Sequence, residues 1–226
     1  MKQRGEMGKY NQVLGLFMEI YGQDVEDDYL DQLIEILDSF NPPTENVPSR
    51  SLTEKDSILI TYGDALQSAS RSPLETLHNF LVTHVGNAIS TVHLLPFFPY
   101  SSDDGFSVID YHEVDPALGS WQDINNLSGN YDLMFDAVIN HISVESDWFQ
   151  DFLAAKAPYT DYFITLDEGV DLRDVFRPRA LPILTTFSTN DGPKRVWTTF
   201  SEDQVDLNYK NPAVLLAIIR ILLEFV

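Results

Sequence analysis

Polar and aromatic side chains follow the ends of two apolar segments in the middle of the chain. Asp103 and Phe106 come after the segment 91–95, and His141 comes shortly after the segment 133–139. A carboxylate accepts hydrogen bonds, an imidazole donates or accepts them, and a phenyl ring offers an apolar face. Groups that follow parallel strands collect on one side of a sheet or barrel. The pattern therefore predicts a binding site for a polar small molecule.

A second candidate group consists of two closely spaced arginines. Arg177 and Arg179 flank Pro178 in the segment RPRALP. A rigid guanidinium holds a phosphate or carboxylate with two parallel hydrogen bonds, so two arginines this close on an acidic protein indicate an anion site. The alternative is ordinary ion pairing with the nearby Asp171 or Asp174.

The elements that must position these residues are predicted as successive β-α-β units. The expected strands and helices are 57–62, 72–86, 91–95, 121–130 and 133–139. The first helix has clear boundaries, because Ser72 is a good N-cap, Pro73 suits the first helical position and Gly86 favours a stop. Buried strands joined through helices form a parallel sheet, so the expected fold class is α/β.

The sequence before the first strand predicts a helical leader. Residues 13–40 are predicted to contain two helices, and Leu30, Leu33, Ile34 and Leu37 are spaced for one buried face. A proline-rich polar linker follows them and leads to the first strand.

The predicted elements divide the chain into four parts. Residues 1–56 form the leader and linker, and residues 57–142 hold the three strands. Residues 143–200 lose the βα regularity, and we expect this part to be rich in loops. In 201–226 the apolar spacing predicts a helix that begins at Pro212 and lacks a C-terminal stop signal, so we expect the polypeptide to end inside a helix.

Composition excludes several classes of protein. The 226 residues are 44% hydrophobic and 12% aromatic, which favours a globular protein over a disordered one. The net charge of −21 disfavours binding to nucleic acid or anionic membranes, because phosphate backbones are held mainly by Lys and Arg. The chain has no cysteine, and its polar start lacks the apolar core of a signal peptide. We expect a cytoplasmic protein without a membrane partner.

Four ordered motifs resemble the sucrose phosphorylase branch of the α-amylase clan of retaining glycoside-active enzymes. They are DDGFSVIDY (103–111), LGSW (118–121), DAVINH (136–141) and RPRALP (177–182). The long leader and the RPRALPILT loop look more like the glucosylglycerate phosphorylases within this branch. The resemblance implies a partial (β/α)8 TIM barrel comprising the first three βα units, with the helical leader before it and the loop-rich inserted domain after the third strand.

The resemblance also assigns roles around a glucosyl ring. Asp103 and His141 are expected to hydrogen-bond the sugar, and Phe106 to lie against it. Asp136 is expected to point into the barrel and support its neighbours. Each has a structural alternative: Asp-Asp-Gly is a common turn signal, Phe106 suits a core, and a lone histidine is more often structural than functional.

On the acceptor side, the resemblance points to three further residues. Arg179, with Arg177 beside it, is expected to meet inorganic phosphate or an acidic acceptor such as glycerate. Gln204 corresponds to a residue near the acceptor side, although a glutamine before an apolar run also suits the entry to a helix. We expect no metal and no cofactor, because the phosphorylase branch does not depend on the calcium that many amylases bind.

The implied reaction is retaining double displacement, in which a glucosyl-enzyme is intercepted by phosphate to give α-glucose 1-phosphate. In the family the nucleophilic Asp and the acid/base Glu lie on strands that follow the final helix of this sequence. We therefore expect the N-terminal part of a glucoside phosphorylase, inactive by itself. The alternatives are an α-glucoside hydrolase of the same clan and a non-enzymatic product of a truncated gene.

Overall fold

The computed structural model describes residues 2–22, 25–40, 53–175 and 182–225. Two compact units are present. One combines residues within 1–47 with residues within 208–226, and the other comprises residues 48–207. Arg177 and Arg179 fall outside the described residues.

The first unit is a helical cluster of α1 (Lys2–Tyr21), α2 (Asp27–Ser39) and α6 (Pro212–Leu223). Its buried core consists of Leu14, Phe17, Leu33, Ile36 and Leu216. The predicted apolar stripe of α2 is present, because Leu33 is buried and the other three predicted residues pack partly buried around the same core. Apolar residues three and four positions apart share a helix face, so this stripe reaches the neighbouring helices.

Helix α6 differs from the sequence prediction at its C-terminal end. It ends at Leu223, where the backbone N–H of Glu224 bonds the carbonyl of Ile221, so it does not run to the last residue. Its buried residues are Val214, Leu216, Ile218 and Ile221, which do not form a single stripe. A helix with apolar residues on most sides is buried on most sides. Neither α6 nor any other helix in the described ranges combines the length and hydropathy of a membrane span.

The second unit contains a three-stranded parallel sheet. Its strands are β1 (Ile58–Thr61), β2 (Thr91–Leu94) and β3 (Asp132–Phe135), in the order β1-β2-β3. Helices α3 (Pro73–Phe80) and α4 (Trp121–Ser128) lie in the two connections along the chain. The parallel β-α-β arrangement confirms the α/β class.

The helix boundaries follow the predicted capping chemistry. The Ser72 hydroxyl accepts a hydrogen bond of 3.2 Å from the backbone N–H of Glu75, and Pro73 occupies the first helical position. A π-helical turn extends α3 as far as Val85, and Gly86 follows with a φ of +54°. Side-chain caps and a left-handed glycine satisfy the backbone groups that helix ends leave unpaired.

The two faces of the sheet have different exposure. Val92 and Leu94 of β2 are fully buried on one face. On the other face Ile58, Ile60 and Met134 are 54%, 61% and 42% exposed. Successive strand residues point to opposite faces. The described part of the chain therefore leaves an apolar sheet face open to solvent.

The predicted third strand, 133–139, is wrong at its C-terminal end. Strand β3 stops at Phe135, and residues 136–140 belong to no strand. His141 instead begins β4 (His141–Ser143), which pairs antiparallel with β7 (Gln204–Asp206). A continuous apolar run does not reveal where its strand pairing ends, and here the residues just after the run, 141–143, pair with a segment more than sixty residues later in the sequence.

Residues 143–200 contain more regular structure than predicted. They include α5 (Asp147–Leu153) and an antiparallel hairpin of β5 (Leu184–Thr189) and β6 (Gly192–Trp197). Phe149, Phe152 and Phe163 are buried, with ring centroids 5.0 to 5.3 Å apart. Aromatic packing thus supplies a local core for this segment.

Candidate functional site

The loop after β2 carries a tight left-handed turn. Asp103, Asp104 and Gly105 have φ values of 56°, 51° and 102°. A Cβ atom on residue 105 would lie 2.8 Å from the carbonyl oxygen of Pro96, so glycine is required there by close backbone approach as well as by φ. Non-glycine residues enter this region rarely, Asp more often than most. The predicted turn signal is present, and it places Asp103 on a strained, exposed apex.

Gln204 joins this loop to β7. Its side chain is 2% exposed. Its amide nitrogen donates to Oδ2 of Asp103 at 3.1 Å and to the backbone carbonyl of Phe106 at 3.0 Å. A primary amide has two hydrogens, so these two bonds use its full donor capacity. The predicted alternative of a helix-entry glutamine is wrong, because Gln204 lies on a strand.

His141 completes the cluster. Its Nε2 lies 2.8 Å from the Phe106 carbonyl oxygen and 3.2 Å from the amide nitrogen of Gln204. The carbonyl can only accept, so Nε2 carries the hydrogen and donates to it, and the approach to Gln204 is a contact between two donors. The ring is 7% exposed, and Nδ1 has no hydrogen-bond partner among the described residues. Buried polar atoms are normally satisfied, so Nδ1 is an exception within this cluster.

Four of the predicted residues therefore meet in one place. Asp103, Phe106, His141 and Gln204 are connected through the Gln204 amide and the Phe106 carbonyl. The Phe106 backbone, rather than its ring, makes the connecting bonds, while the ring is half-buried.

Asp206 lies next to this cluster and was not predicted from the sequence. It faces His141 across the β4–β7 pair. Burial raises the pKa of the Asp206 carboxyl, and the opposing influences are hydrogen bonds from Thr199 and the charge of His141. The Thr199 backbone N–H and hydroxyl donate to the carboxylate at 2.8 and 2.7 Å. Asp206 thus attaches β7 to the segment that contains Thr199. A lone Asp in a short strand gave no sequence signal for this contact.

Asp136 lies directly after β3 and bonds a neighbouring strand. Its Oδ2 is 3.0 Å from Nε2 of His93 on β2. The side chain was predicted inside a strand, and the strand ends one residue before it. The contact with His93 joins two strands at the point where β3 ends, which is the kind of contact that its predicted supporting role requires.

A cleft of about 430 Å³ opens beside the left-handed turn. Its polar lining includes Tyr62, Asp64, Gln67, Asp104 and Asp115. Partial burial, and then the carboxylates of Asp104, Asp103 and others, raise the pKa of the Tyr62 phenol. Tyr62 follows β1 directly and was not predicted from the sequence. The cleft shows that polar groups gather after β1 as well as after β2.

The predicted anion site cannot be placed, because Arg177 and Arg179 lie outside the described residues. One predicted alternative partner, Asp171, accepts hydrogen bonds from Arg173, at 2.6 Å for the shortest. These bonds lower the pKa of the Asp171 carboxyl. Within the described ranges no group of three or more His, Cys, Asp or Glu side chains is arranged to hold a metal ion.

Comparison with known proteins identifies the family. The family model "Alpha amylase, catalytic domain" matches residues 86–226, which is more than half of the chain. The chain belongs to the α-amylase catalytic-domain family. The matched range includes every residue of the cluster around Gln204.

Similar proteins include several sugar phosphorylases. The chain is 55% identical over 174 residues to the glucosylglycerate phosphorylase of Allomeiothermus silvanus, covering 77% of this chain and 31% of that protein. It is 47% identical over 213 residues to the glucosylglycerate phosphorylase of Spirochaeta thermophila, covering 92% of this chain and 36% of the relative. The predicted resemblance to the sucrose phosphorylase branch is confirmed. The chain spans about a third of the length of these curated relatives.

Solved structures give the same result for the fold. Sucrose 6F-phosphate phosphorylase from Thermoanaerobacter thermosaccharolyticum superposes with a TM-score of 0.67 at 33% identity, covering 76% of this chain and 37% of that one. A trehalose-6-phosphate hydrolase of Bacillus licheniformis, at 19% identity and a TM-score of 0.65, shares the fold alone. The α/β fold is thus of the α-amylase type.

Proposed function

We propose that this chain supplies the glucosyl-binding part of a retaining glucoside phosphorylase, with glucosylglycerate as the preferred donor. Asp103 and His141 hydrogen-bond the glucosyl ring, and Phe106 covers its apolar face. The three parallel strands are then the first three of a (β/α)8 barrel, and residues 143–200 are the domain inserted after the third.

The observation that carries this proposal is the Gln204 amide bound to both Asp103 and Phe106, with His141 in contact. Residues far apart in sequence converge there around a buried nitrogen, Nδ1 of His141, that has no hydrogen-bond partner within the described ranges. An exposed carboxylate beside a buried imidazole offers one strong acceptor and one further polar atom. Sugar hydroxyls require such partners, because leaving them unpaired in a pocket is costly.

In the reaction we propose, these residues bind and orient the glucosyl ring while a carboxylate attacks the anomeric carbon and a carboxylic acid protonates the leaving oxygen. Phosphate then displaces the enzyme carboxylate. We assign neither of the two catalytic carboxyl groups to a residue of this chain, so we expect no turnover from the 226 residues by themselves. His141 would help to hold the ring as positive charge develops.

The choice of acceptor rests on the arginine loop. We propose that Arg179, with Arg177, meets phosphate in one half-reaction and the glycerate carboxylate in the other, since both are anions that a guanidinium grips in the same way. The relatives at 55% and 47% identity are both glucosylglycerate phosphorylases, which supports glucosylglycerate over sucrose as donor.

The test is a chimera in which this chain replaces the matching N-terminal region of the glucosylglycerate phosphorylase of Escherichia coli, to which it is 46% identical over 206 residues. We expect glucose 1-phosphate from glucosylglycerate only when inorganic phosphate is added. Free glucose released at the same rate without phosphate would support an α-glucoside hydrolase and contradict the proposal.

His141→Ala in the chimera should lower glucosyl transfer by about a hundredfold or more, as expected when a positioned polar partner of the transition state is removed. His84→Ala is the matched control, because His84 is an exposed histidine on α3's π-helical turn. A loss of melting temperature with unchanged kinetics in His141→Ala would return this histidine to a structural role.

A further inference from the structure

A single carboxylate next to Gln204 binds the loop that presents Asp103. Oδ2 of Asp203 accepts hydrogen bonds from the hydroxyls of Ser101 at 2.6 Å and of Ser107 at 2.8 Å. The hydroxyl of Ser102 donates to the same oxygen. Hydrogen bonds to an ionised acceptor are about twice as strong as neutral ones, so three on one oxygen make a strong attachment.

The three serines lie on both sides of the left-handed turn. Ser101 and Ser102 precede the left-handed turn at 103–105, and Ser107 follows it. Asp203 thus holds the chain on both sides of the turn, and the backbone N–H of Ser101 closes the base of the loop on the carbonyl of Ser107 at 3.1 Å. A turn whose residues occupy rarely populated backbone conformations persists only where the surroundings hold it.

The hydroxyl hydrogens can be assigned within this network. Ser101 and Ser107 each have one hydrogen and each gives it to Asp203, so their mutual approach of 3.0 Å is a contact without a bond. The Ser143 hydroxyl on β4 lies close enough to donate to Ser101. The chain of donors therefore runs from β4 through Ser101 to the carboxylate of Asp203.

We propose that Asp203 is a positioning residue for the donor sugar, acting through Asp103. Asp203 holds the two sides of the turn, and the next residue, Gln204, binds the Asp103 carboxylate at its apex. One short segment thereby fixes both the backbone and the side chain of the sugar-binding carboxylate. The sugar part of this inference rests on the proposed function, whereas the effect on the loop does not.

The test uses three variants of the full 226-residue chain. Asp203→Ala removes the acceptor, Asp203→Asn keeps one neutral acceptor oxygen in the same shape, and Glu202→Gln removes an adjacent exposed charge as control. Hydrogen exchange of residues 101–107 and the side-chain amide resonances of Gln204 report on the loop. Titration with methyl α-D-glucoside, followed by NMR, reports on the sugar.

In Asp203→Ala we expect exchange in the loop to accelerate by about tenfold or more, consistent with loss of charge-assisted hydrogen bonds. Glucoside affinity should fall by a similar factor. Asp203→Asn should fall between Asp203→Ala and the unmodified chain, and Glu202→Gln should change neither quantity. If Asp203→Ala does not fold, Ser102→Ala, which removes one of the three donors, should show a smaller acceleration of the same amides.

A double-mutant cycle separates positioning from general stability. If Asp203 acts through Asp103, the affinity loss caused by Asp203→Ala should disappear in an Asp103→Asn background. An equal loss in both backgrounds, or loop exchange and Gln204 resonances unchanged in Asp203→Ala, would overturn the inference. If the unmodified chain binds no glucoside while the loop still responds to Asp203→Ala, the proposed function fails and the role of Asp203 in the loop stands.

Discussion

Replacing Gly105 by alanine should be one of the most damaging single-methyl changes in the second unit. Gly105 has a φ of +102°, and an added Cβ would lie 2.8 Å from the carbonyl oxygen and 2.9 Å from Cβ of Pro96. A left-handed backbone costs an L-residue about 1–2 kcal/mol. Forcing extra volume against neighbours that cannot withdraw adds about 1–3 kcal/mol. The expected loss of unfolding free energy is therefore about 2–5 kcal/mol on these two principles.

The chain contains a matched control. Gly192 has nearly the same φ, +104°, and a Cβ there would meet nothing within 4 Å. Gly192→Ala should therefore incur only the backbone cost of about 1–2 kcal/mol. Both substitutions reduce the entropy of the unfolded chain by the same amount, so this contribution cancels in the comparison.

The assay is thermal unfolding of the two variants by circular dichroism, with urea unfolding as a second measure. For a chain of this size 1 kcal/mol corresponds to about 2–4 °C, so Gly105→Ala should melt about 2–12 °C below Gly192→Ala. Its affinity for methyl α-D-glucoside should also fall, because Asp103 and Phe106 move with the turn. Equal melting temperatures would show that the Pro96 contact does not constrain residue 105.

Two further predictions concern the helical unit. Leu216→Ala should lower the free energy of unfolding by about 2–5 kcal/mol, because Leu216 is fully buried in the core of this unit. Leu215→Ala, at a partly buried position, should lower it clearly less. Comparable losses of the two variants in urea unfolding would be evidence against this core. Burial, and then the neighbouring Tyr21, raises the pKa of Tyr209 to about 12. The folded chain thus keeps a proton that the unfolded chain loses above its ordinary value of 10.0, so stability should be complete below pH 10 and decline as the pH rises towards 12. Tyr209→Phe should show a shallower decline of melting temperature over that interval, and an identical pH dependence would refute the assignment.

Local sequence signals predicted the elements whose boundaries depend on capping and turn residues close by in the sequence. Ser72, Pro73 and Gly86 marked the boundaries of α3 and its extension, because a cap, a fixed φ and a left-handed glycine act on the nearest few residues. The Asp-Asp-Gly signal predicted the turn after β2 for the same reason. The motifs that contain Asp103 and His141 also indicated the family, because a motif is recognised from residue types and their order and needs no knowledge of contacts.

Tertiary structure alone decided where β3 ends and what His141 bonds. The apolar run 133–139 fits a single strand by composition, but its register depends on β2 and the strand that follows it depends on β7. Likewise, no sequence feature near Asp203 or Gln204 indicates that their side chains bond a loop about a hundred residues earlier. Hydrogen-bond partners at such separation are chosen by how the chain packs, whereas caps and turns are chosen by adjacent residues. The sequence by itself therefore determined which residues are candidates for the proposed glucosyl site, and the fold determined which of them meet and which atoms of those residues are bonded to one another.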